Sequence, residues 1–208
     1  MLAIVTNKDK QSIFKFIGSP DGSMSGNLTD AVMKKPYSII LLDEFEKAHP
    51  DILNIFLQVF DDGRLSDNFG KVADFTNTII IATSNAHSNF IKENIEKGKK
   101  MAQISDEIKK KLTDYFKPEL INRFSDIIVF KNLSQEDITA IAKLLLNSLG
   151  RDLMDSHNIE MNFTGDAIKK LANWGYDPVF GARPLRGVIS EKIRSVLAEK
   201  ILKNEVQK

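Results

Sequence analysis

Ser38-Ile39-Ile40-Leu41-Leu42-Asp43-Glu44 is an apolar run that delivers two adjacent carboxylates at its C-terminal end. An uninterrupted run of this kind reads as a strand buried in a parallel sheet, and open α/β sheets place their chemistry at the carboxyl ends of such strands. Neighbouring carboxylates suit two separate jobs there. Asp43 would hold a divalent cation, directly or through water, and Glu44 would orient and polarise an attacking water. Taken alone, the same residues also describe a strand that ends in an acidic turn.

Three further segments bear on that choice. Asn77-Thr78-Ile79-Ile80-Ile81-Ala82-Thr83-Ser84-Asn85 is a second buried-strand pattern with a polar end. Asn85 there is either a turn residue or an amide presented to a terminal phosphate or the attacking water. Pro118-Glu119-Leu120-Ile121-Asn122-Arg123-Phe124 places Arg123 just before a predicted strand, Asp126-Ile127-Ile128-Val129-Phe130. Arg123 is thus a surface charge or a group that reaches a neighbouring subunit's nucleotide. Gly181-Ala182-Arg183-Pro184 opens a C-terminal helix, where the Arg183 guanidinium is placed to fork onto phosphate oxygens.

These motifs, with Lys35-Pro36-Tyr37-Ser38 through His49-Pro50, Leu57-Gln58-Val59-Phe60-Asp61-Asp62-Gly63-Arg64-Leu65 and Tyr176-Asp177-Pro178-Val179-Phe180-Gly181-Ala182-Arg183-Pro184-Leu185, resemble the second ATPase module of Clp-family AAA+ unfoldases. The resemblance runs from about Ile17 to the C-terminus, with the motifs in the family's order. It implies that Asp43 and Glu44 are the Walker B pair, with Asp43 as metal and nucleotide ligand and Glu44 catalytic. It implies further that Asn85 is sensor 1, Arg123 the arginine finger and Arg183 the nucleotide-binding sensor 2. The implied cofactors are ATP and Mg²⁺ in the complete module, and the implied setting is a hexameric ring that remodels polypeptide substrates.

Two departures from the family pattern stand out. No Gly-x-x-x-x-Gly-Lys-Ser/Thr occurs: Gly70-Lys71 is followed by Val72 and Gly98-Lys99 by Lys100, with no Gly at the required spacing before either. In the family that loop lies just upstream of the strand that Leu2-Ala3-Ile4-Val5 resembles, so a module truncated at its N-terminus is expected, with no ATPase activity above background of its own. The family's strand before that loop lies between the strands that Thr78 to Thr83 and Ile127 to Phe130 resemble. Without it, those strands are expected to pair directly or to accept a strand from another molecule. The second departure is Gly18-Ser19-Pro20-Asp21-Gly22-Ser23-Met24-Ser25-Gly26, where Clp relatives carry an aromatic Gly-Tyr-Val-Gly pore loop. This stretch reads as a flexible loop in which Met24 offers a soft apolar contact or is an ordinary surface Met.

Composition narrows the class. The chain has 208 residues, 42% of them hydrophobic, and Lys+Arg 29 against Asp+Glu 28 give a net charge of +1. That balance calls for neither nucleic acid nor a membrane surface, which disfavours a DNA-acting clamp loader or replication initiator. Cys 0 excludes a disulfide scaffold and a thiol nucleophile or ligand. The N-terminus shows no signal-peptide pattern and no run reaches membrane-spanning length, so the expected location is the cytoplasm.

Up to about Asn132 the pattern alternates strands and helices, as in a parallel sheet covered on both faces, with strands at Leu2 to Val5, Ser38 to Leu42, Thr78 to Thr83 and Ile127 to Phe130. From Leu133 the pattern is mainly helical. Ser134 and Asp137 form a capping-box-like start, and Ile138, Ile141, Leu145, Leu149 and Leu153 recur at helical spacing. A short strand from Ile159 to Phe163 and helices from Gly165 to Asn173 and Leu185 to Lys203 are expected to complete the small domain. The expected architecture is therefore an α/β AAA+ nucleotide-binding domain, residues 1–132, followed by a helical lid, residues 133–208. Lys92 to Lys111 interleaves lysines with Glu93, Glu96, Asp106 and Glu107, which suits a pair of solvated helices. No Ile-Gly-Leu/Phe-type peptidase-docking tripeptide occurs there, so the resemblance is to the ClpB-like disaggregase type. His49, His87 and His157 are scattered along the chain and read as caps or surface residues. The alternative function is a catalytically silent AAA+ assembly module that lacks ATP binding.

Overall fold

The computed structural model describes residues 2–5, 12–177, 180–203 and 205, and divides into two compact units, residues 1–130 and 131–208. Pro178 and Val179 of the C-terminal motif lie outside the described residues.

The first unit is built on a parallel sheet of β1 (Leu2–Val5), β2 (Ser38–Asp43) and β5 (Thr78–Ala82), in the order β1-β2-β5. Register is direct, with Leu2 beside Ile40, Val5 beside Asp43, and Leu42 beside Ala82. Between them run α1 (Ser12–Ile17), α2 (Asn27–Lys34), α3 (Pro50–Asp62) and an antiparallel hairpin of β3 (Arg64–Ser66) and β4 (Val72–Asp74). Then follow α4 (Ser88–Glu96), α5 (Met101–Lys111) and the single turn α6 (Pro118–Ile121).

Burial on the sheet is one-sided. Ile40 and Leu42 are fully buried with Phe16, Val32, Ile52 and Phe56, whereas Ile39 is 40%, Ile79 61% and Ile81 46% exposed. Cover on both faces was expected; among the described residues, helices pack on only one. An aromatic cluster anchors that side. Phe45 stacks on Phe116 at 5.5 Å and meets Phe56 edge-on at 5.6 Å, while Phe56 also meets Phe16 at 6.0 Å. Each such ring contributes about 1.5–3 kcal/mol by burial alone. Because Phe45 follows Glu44 directly, this core fixes the turn that carries the carboxylates. α3 starts with His49 as its cap, the ring accepting from the Asp51 N–H at 3.2 Å, and Pro50 supplies a first turn that needs no donor.

The segment Ile127 to Phe130 is not a strand. Ile128 is 73% and Phe130 81% exposed, and no strand among the described residues lies beside them, so their β-propensity has no ladder to complete. Direct pairing of this segment with β5 does not occur.

The Gly18–Gly26 loop is closed by its own hydrogen bonds. Ser19 N–H donates to the Met24 carbonyl and Met24 N–H to Ser19 Oγ, both at 2.9 Å. The tip of the β3–β4 hairpin braces it: Asn68 N–H donates to the Ile17 carbonyl at 2.9 Å and Asn68 Nδ2 to the Gly18 carbonyl at 2.5 Å. Gly18 has φ +83, a backbone conformation that favours glycine, and a Cβ there would lie 2.8 Å from Cε2 of Phe69. Asp21 is held at about 2, first by the Ser19 hydroxyl and then by the Ser23 N–H and hydroxyl. A carboxylate lowered in this way stabilises the loop above its ordinary 3.8 and ceases to do so as pH falls through that value to about 2. The Ser23 amide resonance is therefore expected to hold its folded position above that window and move within it. An unchanged shift across the window would show that Asp21 does not organise the loop.

In the second unit, α7 (Gln135–His157) begins with the expected capping box. Ser134 Oγ accepts from the Asp137 N–H and the Asp137 carboxylate from the Ser134 N–H. Ile138, Ala142, Leu146, Leu149 and Leu153 are its buried stripe, with Ile141 and Leu145 at the margin. Asn158 ends the helix in the left-handed region, and Ile159 turns into the core. The strand expected from Ile159 to Phe163 does not form: among the described residues no partner strand lies beside it, and the segment is held by Ile159, Met161 and Phe163 packing inward. α8 (Gly165–Trp174) is followed by α9 (Leu185–Ile189), a π-turn at Ser190–Arg194 and α10 (Ser195–Leu202). A Cβ on Gly175 would lie 2.7 Å from Cα of Leu185, whose side chain is fully buried. Gly175→Ala should therefore destabilise this unit by about 1–3 kcal/mol through overpacking, read as a lower thermal midpoint; an unchanged midpoint would contradict the close approach of α8 and α9.

Candidate functional site

The carboxylates at the end of β2 are joined to the end of β5. Thr83 follows Ala82, which lies beside Leu42, so its hydroxyl arrives opposite Asp43. Thr83 Oγ1 donates to Asp43 Oδ1 at 2.5 Å and accepts from the Glu44 N–H at 3.3 Å. Its backbone ties the same two ends, with Thr83 N–H to the Leu42 carbonyl at 2.8 Å and Phe45 N–H to the Thr83 carbonyl at 3.0 Å.

Glu44 has φ 52 and ψ 48, the left-handed region. A non-glycine residue there costs of order 1–3 kcal/mol unless its surroundings over-determine it, and here the Thr83 bonds and the buried Phe45 ring on either side do so. The strain swings the Glu44 side chain out of the strand direction. Its Oε1 takes a hydrogen bond from Lys47 Nζ at 2.7 Å, one turn further along. That bond raises the Lys47 pKa above its ordinary value, and the charges of Glu44, Glu46 and Asp43 add to it.

Asn85 lies three positions beyond the last residue of β5, in the turn before α4. Its N–H donates to Glu46 Oε1 at 3.2 Å and its carbonyl accepts from the Ser88 N–H at 3.2 Å. Asp43, Glu44 and Asn85 thus share one ridge, stitched by Thr83 and Glu46. Arg123 lies in the turn after α6, and its Nε forms an ion pair with Asp61 Oδ1 on α3 at 2.5 Å, with both side chains about half exposed. Arg183 belongs to the second unit, exposed just ahead of α9, with its N–H donating to the Phe180 carbonyl at 3.2 Å.

Sequence reasoning singled out Asp43, Glu44, Asn85, Arg123 and Arg183 and missed Thr83, Glu46, Lys47 and Asp61. Thr83 carried a signal in hindsight, because in-register parallel strands of matched length bring their ends together. The others depend on where a turn points.

The donor set suits Mg²⁺. This small hard cation keeps several waters and takes one or two carboxylates, the rest of its shell coming from phosphate; a single exposed Asp43 oxygen pair at a strand end, oriented by a neutral hydroxyl, matches that requirement. Among the described residues no group of three or more His, Cys, Asp or Glu forms an all-protein cage.

A family model for the AAA domain (Cdc48 subfamily) matches residues 1–127, and one for the C-terminal, D2-small domain of ClpB protein matches residues 133–208. The chaperone protein ClpB of Meiothermus ruber is 43% identical over 203 residues, 96% of this chain and 24% of that protein. That of Aquifex aeolicus (strain VF5) is 41% identical over 210 residues, 96% of this chain and 21% of that one. The structure of the S. cerevisiae Hsp104:casein complex in its extended conformation matches with a TM-score of 0.83 at 35% identity, covering 99% of this chain and 37% of that chain. The chain spans less than a quarter of the length of these curated relatives.

Proposed function

This chain belongs to the AAA+ family as a ClpB-like second AAA module, and on that premise we propose that it forms part of an ATP-dependent protein unfoldase or disaggregase. In this reading ATP hydrolysis is coupled to remodelling of polypeptides in a hexameric, cytoplasmic ring. The observation that carries it is the acid pair at the end of β2, locked through Thr83 to the strand that leads to Asn85. Similarity to the Hsp104:casein complex supports a polypeptide as the substrate to be remodelled. No helix among the described residues is long and apolar enough to cross a membrane.

We assign the following roles, which the geometry of the acid turn supports. Asp43 is the Mg²⁺ ligand, and Thr83 Oγ1 keeps one of its oxygens oriented. Held there, Mg²⁺ would supply charge neutralisation to the phosphates of the ATP substrate. Glu44 aligns the attacking water and takes its proton at a carboxylate oxygen, which requires that Lys47 Nζ yield the Oε1 contact it holds here. Asn85 presents its amide to the γ-phosphate or the water. Arg123 serves a neighbouring subunit's nucleotide and Arg183 binds phosphate from the lid, which we assign to residues 133–208, with 1–132 as the nucleotide domain.

Phosphate affinity in such sites comes chiefly from a backbone cradle and its Lys, and residues 1–208 contain no Gly-x-x-x-x-Gly-Lys-Ser/Thr. A polypeptide of these residues alone is expected to show no ATPase above background and no tight nucleotide binding. Micromolar ATP affinity by calorimetry would overturn that expectation. A second reading, an assembly module that does not thread polypeptide, is favoured by the closed Gly18–Gly26 loop, which offers Met24 but no aromatic ring. Unfolding of a tagged substrate by the full-length protein decides between them.

A further inference from the structure

The turn that carries Asn85 is reached from the β2 end by one carboxylate that the catalytic scheme does not use. Glu46 lies on the 3-10 turn Phe45–Lys47, directly after the acid pair, and this turn is rigid: Phe45 is 1% exposed, and Lys47 N–H donates to the Glu44 carbonyl at 2.8 Å. From there Glu46 Oε1 accepts the Asn85 N–H at 3.2 Å. Its second oxygen, Oε2, is buried, and no hydrogen bond reaches it from the described residues. A carboxylate held with one oxygen out of water and undonated is costly. A side chain doing no more than filling this position would do better neutral and apolar.

Among the described residues the remaining anchors of the Asn85 turn do not involve the acid turn: His87 Nε2 meets the Lys111 carbonyl at 2.9 Å, and the others are local. Ser84 Oγ accepts the Ala86 N–H at 3.0 Å, and the Asn85 carbonyl accepts the Ser88 N–H at 3.2 Å. These shape the turn but do not say where it sits relative to Asp43 and Glu44. Thr83 fixes the strand end two residues earlier, and the Glu46 bond ties Asn85 itself to the acid turn.

We propose that Glu46 is the positioning residue of this site: it clamps the Asn85 backbone to the turn bearing Asp43 and Glu44, so that the amide and the acid pair meet the same γ-phosphate in fixed relation. The assignment rests on the ATPase reading given above. A misplacement of a reacting group by about 1 Å costs roughly 10²-fold in rate, and a clamp of this kind acts on turnover with little effect on the affinity for ATP, which the phosphates dominate.

The test uses the full-length protein and three variants. Glu46→Ala should lower kcat by about 10²-fold with KM for ATP unchanged, and should abolish the hydrogen-exchange protection of the Asn85 amide. Glu46→Gln, whose amide oxygen still accepts from Asn85, should restore protection and most of kcat. In an Asn85→Ala background, which keeps the backbone N–H, Glu46→Ala should cost nothing further in kcat, because the group it positions is gone. Retained protection in Glu46→Ala, or equal losses from Glu46→Ala in both backgrounds, would overturn the proposal even if the variant is partly destabilised, since Glu46→Gln reports on the same bond in a folded protein. Full hydrolysis by Asn85→Ala and Glu44→Gln would instead remove the ATPase reading, while the exchange result would still stand for or against the clamp.

Discussion

Replacing Glu44 by Gln in a protein that carries a phosphate-binding loop ahead of this chain is expected to lower ATP hydrolysis by about 10²–10⁴-fold, the usual contribution of a positioned general base. ATP and Mg²⁺ should still bind, because on the proposed roles the affinity would lie in the phosphate cradle and Asp43. Gln keeps the shape of the side chain and suffers the same left-handed backbone, φ 52, so lost turnover reports the charge and its proton-accepting power rather than a collapsed turn. The Lys47 contact sharpens the comparison. Lys47 Nζ, 2.7 Å from Glu44 Oε1, would also hold the amide oxygen of Gln, though more weakly, so the turn keeps its internal bond in the variant. Asp43→Asn should behave differently: the Thr83 bond can persist, but the Mg²⁺-dependent part of nucleotide binding should weaken. Separate single-turnover and binding measurements tell the two apart. Turnover in Glu44→Gln equal to that of the parent would sink the assignment.

How far the site was legible in the sequence depends on how far each interaction reaches along the chain. The apolar run ending in Asp43-Glu44 and the capping box at Ser134 are local patterns, and both stand in the structure as read. Ile127 to Phe130 has the composition of a strand, but a strand is a pairing and not a property of a segment; without a neighbour its Ile128 and Phe130 lie in solvent. Ile159 to Phe163 misled in the same way, its alternation serving a helical core instead of a ladder. The fine geometry of the site was hidden for a different reason. The left-handed Glu44, the Thr83 hydroxyl on Asp43 and the Glu46 carboxylate on Asn85 all arise where two strand ends some forty residues apart in sequence are brought side by side, with separations of 40 and 39 residues for the last two. No periodicity within either segment encodes which turn atom will meet which.

Arg123→Ala is expected to abolish hydrolysis in the assembled ring, by about 10³–10⁵-fold, the range over which an arginine finger acts. The structure adds a detail to how that arginine would work. Asp61 Oδ1 forms an ion pair with Arg123 Nε at 2.5 Å, from α3, an element whose Ile52, Phe56 and Val59 are buried in the core. An ion pair at Nε leaves the two terminal nitrogens to make the planar fork that suits phosphate oxygens, so Asp61 would aim the guanidinium from its near side. On that geometry Asp61→Asn should lose part of the activity, more than an exposed ion pair would cost in stability, because it loosens the aim of a group whose charge is intact. The trans role is separable from a local structural one by mixing. Rings assembled from Arg123→Ala and Glu44→Gln subunits should recover some turnover, since an intact Arg123 on a Glu44→Gln subunit can serve the intact acid pair of an Arg123→Ala neighbour. Neither variant alone should do so. Where subunit exchange is demonstrated by a label on each variant and activity still fails to appear at any mixing ratio, Arg123 acts within its own subunit and its bond to Asp61 is purely structural.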